Sequence, residues 1–249
     1  TTAPTNQPVI LTIKTSEPVT MLTENKALEQ IDNQTWTFKK SINGTITFKF
    51  TDAAGNVGTA KYTVDNIDKE VPVGTITADV TAPTKGSVTL TLEVSEPIKD
   101  MSESDWTLVK DATLEDRTVR YTKTLSENTD GEIELTYTDL AGNKGSVKYE
   151  VSNIDNIPAT ADVTYSTTED TNEDVTIMIN TSEKVSFEDE LLNWTETRNE
   201  DGTYTYTATA TENVSNTLTL VDHVGNETEV SYSVENIDKT PANATVSYN

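Results

Sequence analysis

The side chains best suited to chemistry in this chain are oxygen donors that recur in a fixed order. Asp52-Ala-Ala-Gly55-Asn56, Asp139-Leu-Ala-Gly142-Asn143 and Asp222-His-Val-Gly225-Asn226 share one pattern, spaced by 87 and 83 residues. Ten residues after each closing Asn comes a second pattern, Asn66-Ile67-Asp68, Asn153-Ile154-Asp155 and Asn236-Ile237-Asp238, followed by Pro72, Pro158 and Pro241. A third marks the first half of each unit: Ser16-Glu17-Pro18, Ser95-Glu96-Pro97 and Ser182-Glu183-Lys184. Carboxylates brought together repel one another unless a proton or a cation joins them. A set of carboxylate and amide oxygens suits Ca²⁺, which takes about six to eight oxygen ligands.

Other chemistry is thinly represented. The chain has no cysteine, which excludes disulfides, thiol nucleophiles and thiolate metal sites, and its single histidine, His223, cannot build a multi-histidine centre. His223 stands where the other units have Ala53 and Leu140, so its expected role is local to its turn. No serine has a recurring base beside it, and no acid/base constellation stands apart from the repeated scaffold, so the expectation is a protein that is not an enzyme. With 42 acidic residues against 18 basic ones the net charge is −24. That field repels nucleic acid and anionic lipid. No stretch approaches the roughly 18 apolar residues of a membrane span, and Thr1-Thr2-Ala3-Pro4 has neither the charged nor the apolar region of a secretion signal.

The elements that must position these donors read as strands. Apolar residues alternate with polar ones at Val88/Leu90/Leu92/Val94 and Ile133/Leu135/Tyr137, at Val9/Leu11/Ile13 and Val175/Ile177/Ile179. Ala60/Tyr62/Val64, Val147/Tyr149/Val151 and Val230/Tyr232/Val234 close each unit. Period-two alternation turns one face inward. Trp36, Trp106 and Trp194 fall in mid-unit, where one large aromatic fills the space between sheets. Asn25 to Gln30 and Glu188 to Leu192 are short acidic stretches able to form a helical turn.

Units of 83 to 87 residues built this way predict an all-β chain of three tandem immunoglobulin-like antiparallel β-sandwich modules in a linear array. The modules run over 1–68 (lacking a first strand), 69–155 and 156–238, with 239–249 as linker and first strand of a following module. The Asp-x-Ala-Gly-Asn, Tyr-strand, Asn-Ile-Asp, Pro pattern resembles the tandem bacterial immunoglobulin-like (BIg-type) repeats of large surface proteins and adhesins. That resemblance covers the whole chain. It implies an extracellular location, on a bacterial surface or secreted, and a non-catalytic stalk that spaces a functional head from the wall. The third unit departs from the pattern at Lys184 and at His223-Val224. Intramolecular Lys-Asn cross-links of Gram-positive surface proteins are not expected, because matching core positions hold Lys14, Glu93 and Asn180.

Geometry decides which donors can meet. The Asp-x-Ala-Gly-Asn turn and the Asn-Ile-Asp of one unit are separated by ten strand residues, about 33 Å, and lie at opposite poles. They can share a site only across a junction. There Asn66 and Asp68 face Glu96, Asp139 and Asn143, and Asn153 and Asp155 face Glu183, Asp222 and Asn226. Glu17, Asp52 and Asn56 need a preceding linker, and Asp238 needs a following module. Two readings stand side by side. In one, each junction holds a Ca²⁺ that stiffens it. In the other, each Asp serves only its own turn and the acidity keeps the protein soluble.

Three partner classes remain: neighbouring repeats of the same parent, a surface receptor or glycan gripped by an aromatic cluster present in one unit only, and further copies of the chain. No such aromatic cluster is visible in sequence. Thr1 aligns with Thr167, so the first unit lacks the segment matching Ala161 to Ser166, whose counterpart reappears as Ala244 to Tyr248. That is either a cut through a longer array or a strand that completes the first unit of a neighbouring chain, making a head-to-tail filament.

Overall fold

A computed structural model describes residues 3–126 and 131–248. Among these residues the chain is all-β, with nineteen strands and no helix. The first repeat supplies β1 (Val9–Lys14), β2 (Val19–Met21), β3 (Leu28–Gln30), β4 (Thr35–Lys40), β5 (Gly44–Asp52) and β6 (Val57–Val64), forming sheets ordered β1-β4-β3 and β2-β5-β6. The second supplies β7 (Gly74–Ala78), β8 (Val88–Val94), β9 (Ile98–Met101), β10 (Thr107–Lys110), β11 (Val119–Leu125), β12 (Gly131–Asp139) and β13 (Lys144–Val151), ordered β10-β11-β8-β7 and β13-β12-β9. The third supplies β14 (Ala161–Tyr165), β15 (Val175–Thr181), β16 (Thr195–Arg198), β17 (Tyr204–Ala210), β18 (Val214–Val221) and β19 (Glu227–Val234), ordered β14-β15-β17-β16 and β18-β19.

The chain divides into two compact units: Thr1–Asp79 with Thr89–Thr124 and Glu132–Glu150, and Val80–Val88 with Leu125–Gly131 and Val151–Asn249. The division runs through the second sequence repeat rather than between repeats.

In the first unit, Ile13, Trp36 and Phe38 from one sheet pack on Phe48 from the other, with the Phe38 and Phe48 rings edge to face at 5.4 Å. In the second, Ile177, Ile179 and Tyr206 pack on Leu218, Leu220 and Tyr232. These are antiparallel sandwiches. The alternation is cleanest in β8 and β15, where every second residue is buried. A Leu or Ile removed from water in this way contributes about 2 kcal/mol.

Each repeat is also closed end to end. Thr5 pairs in parallel with Ile67, Thr84 with Ile154 and Thr171 with Ile237. The Asn of each Asn-Ile-Asp reinforces this closure. Asn66 Nδ2 donates to the Ala3 carbonyl (2.7 Å), Asn153 Nδ2 to Val80 (3.0 Å) and Ala82 (3.1 Å), and Asn236 Nδ2 to Glu169 (2.7 Å). Asn43 and Asn213 use their side-chain amides as a strand would use its backbone, accepting from the N–H of Ile67 or Ile237 and donating to the same residue's carbonyl.

Neither acidic stretch forms a helical turn. Leu28–Gln30 is strand β3, drawn into register by β4 through pairs such as Leu28 with Phe38. Residues 188–192 form an irregular loop gathered around Asp189. Tertiary pairing and side-chain bonding outweigh a weak local helical preference.

Candidate functional site

The hairpin β5–β6 and its counterparts build the site from the turn outward. Glycine at its fourth position has φ of 89° at Gly55, 98° at Gly142 and 90° at Gly225, the left-handed region where a Cβ is strained. The leading Asp then folds its carboxylate over the turn. Asp139 Oδ1 accepts the N–H groups of Ala141 (2.8 Å), Gly142 (2.6 Å) and Asn143 (2.8 Å), while Oδ2 accepts Asn143 Nδ2 (2.8 Å). Asp222 repeats the set with Val224 (2.9 Å), Gly225 (2.8 Å), Asn226 (2.8 Å) and Asn226 Nδ2 (2.8 Å). Asp52 does the same with Ala54, Asn56 and the Asn56 amide.

The amide of the closing Asn then reaches the preceding repeat. Asn143 Nδ2 donates to the Asp68 carbonyl at 3.1 Å within the first unit, and Asn226 Nδ2 to the Asp155 carbonyl at 3.0 Å within the second. A further bond to the turn's backbone supports each seam: Asn6 N–H donates to the Ala141 carbonyl at 3.1 Å, and the side chain of Lys85, the next-repeat equivalent of Asn6, donates from Nζ to the Gly225 carbonyl at 2.5 Å.

At the first seam, carboxylate oxygens of Asp68, Glu96 and Asp139 lie within 4.8 Å of one another, and Glu96 and Asp139 are buried. Burial, the Asp68 charge and more distantly Asp139 raise the pKa of Glu96, with Arg117 opposing them. Arg117 Nη2 sits 2.8 Å from Glu96 Oε2. At the second seam, Asp155, Glu183 and His223 group within the same span. His223 Nδ1 is 3.7 Å from Glu183 Oε2 and 3.9 Å from Asp155 Oδ2. Burial and the charges of Asp155 and Asp222 raise the pKa of Glu183. Asp222 moves the other way: burial pushes it up, but the bonds from the Asn226 amide and the turn N–H groups outweigh that and lower it.

Asp68, Glu96, Asp139 and Asn143 thus share one seam, and Asp155, Glu183, Asp222 and Asn226 the other. The amide nitrogens of Asn66 and Asn153 bond instead to the first segments of their own repeats. The donor chemistry at the first seam is oxygen only and fits a hard cation. Asp139 brings less than its full capacity, since its turn already uses both oxygens, Oδ1 for three N–H groups and Oδ2 for the Asn143 amide. At the second seam an imidazole stands among the carboxylates, so that donor set is mixed. His223 therefore reaches beyond its own turn, to Asp155 of the preceding repeat. Arg117 escaped sequence reasoning; it reaches Glu96 from a loop 21 residues away, and no spacing rule marks it.

An aromatic cluster absent from the sequence reading also emerges in the second unit. The ring of Phe187 lies 5.8 Å from Trp194 and 5.2 Å from Tyr206, and Trp194 lies 5.7 Å from Tyr232. Its polar atoms turn inward. Asp189 Oδ2 accepts from Trp194 Nε1 (2.8 Å) and Tyr232 OH (2.7 Å), and Tyr206 OH donates to the Val185 carbonyl (2.8 Å). Tyr206 and Tyr232 are buried in the core, while Phe187 and Trp194 pack against it half-buried and line a surface pocket. Trp36 and Trp106 are buried, at 3% and 7% exposure, whereas Trp194 is half-buried.

No protein-family model matches the chain, and no curated protein matches it. A solved structure that aligns with it is the Bacteroides ovatus mixed-linkage glucan utilization locus protein SGBP-B in complex with a mixed-linkage heptasaccharide. The alignment has 14% identity and a TM-score of 0.20, and covers 93% of this chain and 65% of that one. A superposition at that score carries no argument about ligand or role. Among the described residues no helix is long and apolar enough to cross a membrane.

Proposed function

We propose that the chain is a non-catalytic spacer, part of the stalk of a bacterial surface or secreted protein, whose repeats are held in fixed relation at acidic seams that take up Ca²⁺. The observation that supports this most directly is the recurrence of one junction device: the Asp-anchored turn whose closing Asn donates to the carbonyl of the preceding Asn-Ile-Asp, at 3.1 Å in one seam and 3.0 Å in the next. A device repeated at successive junctions serves the junction itself. The same pattern underlies the resemblance to tandem bacterial immunoglobulin-like repeats.

Asp68, Glu96 and Asp139 would hold the cation at the first seam, with backbone carbonyls and water completing its shell; Asp155 and Glu183, with the His223 imidazole beside them, would do so at the second. Bound there, it would add positive charge to carboxylates of which only Glu96 has a guanidinium partner, Arg117. Residues on both sides of the seam would then be tied by ligation, restricting the bend between them.

The test is thermal melting and small-angle scattering of the whole chain with Ca²⁺ and then with chelator, beside Glu96→Gln. A ligand at about 100 times its Kd adds about 2.7 kcal/mol of stability. Ca²⁺ is expected to raise the melting temperature and narrow the range of dimensions, and Glu96→Gln to weaken both effects. Identical melting and scattering in Ca²⁺ and chelator would remove the cation from the proposal.

A further inference from the structure

The third repeat departs from the other two at one place in the fold. In the first two, a short strand follows the Ser-Glu-Pro motif and completes a three-stranded sheet: β2 pairs with β5, and β9 with β12. In the third that pairing shrinks to a single bridge, Ser186 with Val221, and the sheet has only β18 and β19. The chain then leaves the sheet as an irregular loop over residues 187–194. Asp189 ties that loop to the sandwich. Its Oδ1 accepts the Leu191 N–H and the Asn216 amide, both at 3.0 Å, and its Oδ2 accepts from the Trp194 indole and the Tyr232 hydroxyl. All four bonds are internal, so the loop holds its shape without a ligand and loses little freedom on binding one.

Between this loop and strands β16 and β17 lies a cavity of about 450 Å³, within the range of about 300 to 1,000 Å³ that small-ligand sites occupy. Phe187 and Trp194, both half-buried, line it beside Tyr206. The other repeats offer no such surface. Trp36 and Trp106 are buried, and the one further ring pair among the described residues, Phe38 with Phe48, lies in the core. The rim of the cavity is polar. Glu196, directly across from Tyr206 in the β16–β17 pairing, accepts from Lys184 Nζ through Oε1 at 2.9 Å. Its other oxygen and the side-chain amide of Asn193 have no partner among the described residues. The Tyr206 hydroxyl is already spent, bonded both ways to Val185.

We infer that this cavity binds a pyranose unit of a neutral oligosaccharide. Aromatic rings have electron-rich faces, which attract the slightly positive C–H groups on one face of a sugar ring. Around the rings stand a carboxylate oxygen that only accepts, an ammonium that only donates and an amide that does both. A ligand edge that satisfies all three must itself donate and accept. Hydroxyl groups do so. The rim charges of Lys184 and Glu196 offset each other, so an ionic ligand gains little there, and an anion also meets the field of a chain with net charge −24. A wholly apolar ligand would cover the Asn193 amide and the free Glu196 oxygen without giving them partners, at a cost in desolvation. A sugar ring carries both the apolar face and the hydroxyl-bearing edge that this cavity matches.

The test uses the whole chain in chelator, with neutral oligosaccharides of glucose, mannose, galactose and xylose as probes and an oligouronate as the charged control. In a ¹⁵N–¹H spectrum the Trp194 indole signal, identified by its loss in Trp194→Phe, is expected to shift as at least one neutral sugar is added. The signals of the buried Trp36 and Trp106 should stay in place. Asn193→Ala, at an exposed position, is expected to weaken binding about fivefold with an unchanged melting temperature, and Phe187→Ala about tenfold. Phe187 also packs on the core, so if its variant melts early, Asn193→Ala carries the test. No shift with any neutral sugar at millimolar concentration, a shift with the oligouronate alone, or full affinity in Asn193→Ala would each overturn the inference. The cavity takes no cation in this test, so its failure leaves the spacer proposal standing, and loss of the Ca²⁺ effect leaves the cavity untouched.

Discussion

The same five-residue turn occurs in two settings. Asp52–Asn56 is largely open to water, whereas in Asp139–Asn143 and Asp222–Asn226 the two end residues are buried, with Asp139 at 1% and Asp222 at 6% exposure. The internal hydrogen bonds are nearly identical, so the turn does not depend on a neighbour to form. What the neighbour changes is the dielectric setting. In the exposed copy water can replace any lost bond; in the buried copies a lost acceptor strands several N–H donors away from solvent.

The largest expected effect tests that contrast. Asp139→Ala removes the acceptor for three turn N–H groups and the Asn143 amide, and is expected to cost about 3 kcal/mol. Asp52→Ala should cost distinctly less, since its donors turn to water. Urea denaturation of the two variants beside the parent measures both. Equal losses would mean that the seam does not shield the turn.

A smaller effect concerns charge within the second seam. Glu183 faces Asp155, Asp222 and His223, and its pKa lies above the ordinary value. A carboxyl raised in this way binds its proton more readily when folded, so its ionised form is a cost at pH above the raised pKa, relieved as pH falls through it. Asp222 has the opposite sign: its stabilisation holds at neutral pH and is lost only as pH falls through its lowered pKa. In chelator, Glu183→Gln should therefore melt roughly 2 °C above the parent at pH 7, and the difference should vanish near pH 4. Parallel curves for the two proteins across that range would show that Glu183 feels no net repulsion.

Much of this was readable from residue types. Alternation located β8 and β15, the Gly and Asn of each turn placed the β5–β6, β12–β13 and β18–β19 hairpins, and the ten-residue spacing sent Asn-Ile-Asp to the opposite pole. From that followed the meeting of Asp68 with Glu96 and Asp139, and of Asp155 with Glu183. What escaped depends on long-range placement. Leu28–Gln30 is a strand because β4 is beside it, not because of its own composition. Arg117, His223 and the ring group around Phe187 come together from separate loops and strands. The amides of Asn66 and Asn153 have donor and acceptor ends, and sequence does not say which end faces which partner.

The parallel bridges that close each repeat bear on how it meets force. In the third repeat, Thr171 N–H donates to Asn236 and Asp238 N–H to Thr171, both at 2.9 Å, and Thr5 and Thr84 make the same pairs in theirs. Tension drawing the start and end of a repeat apart runs along these paired segments, so both bonds are strained in shear and must break together instead of peeling one by one. Replacing Thr171 by proline removes the first of those donors, and in an optical trap the third repeat should then yield at a lower pull while the others keep theirs; an unchanged rupture force would place the mechanical clamp elsewhere.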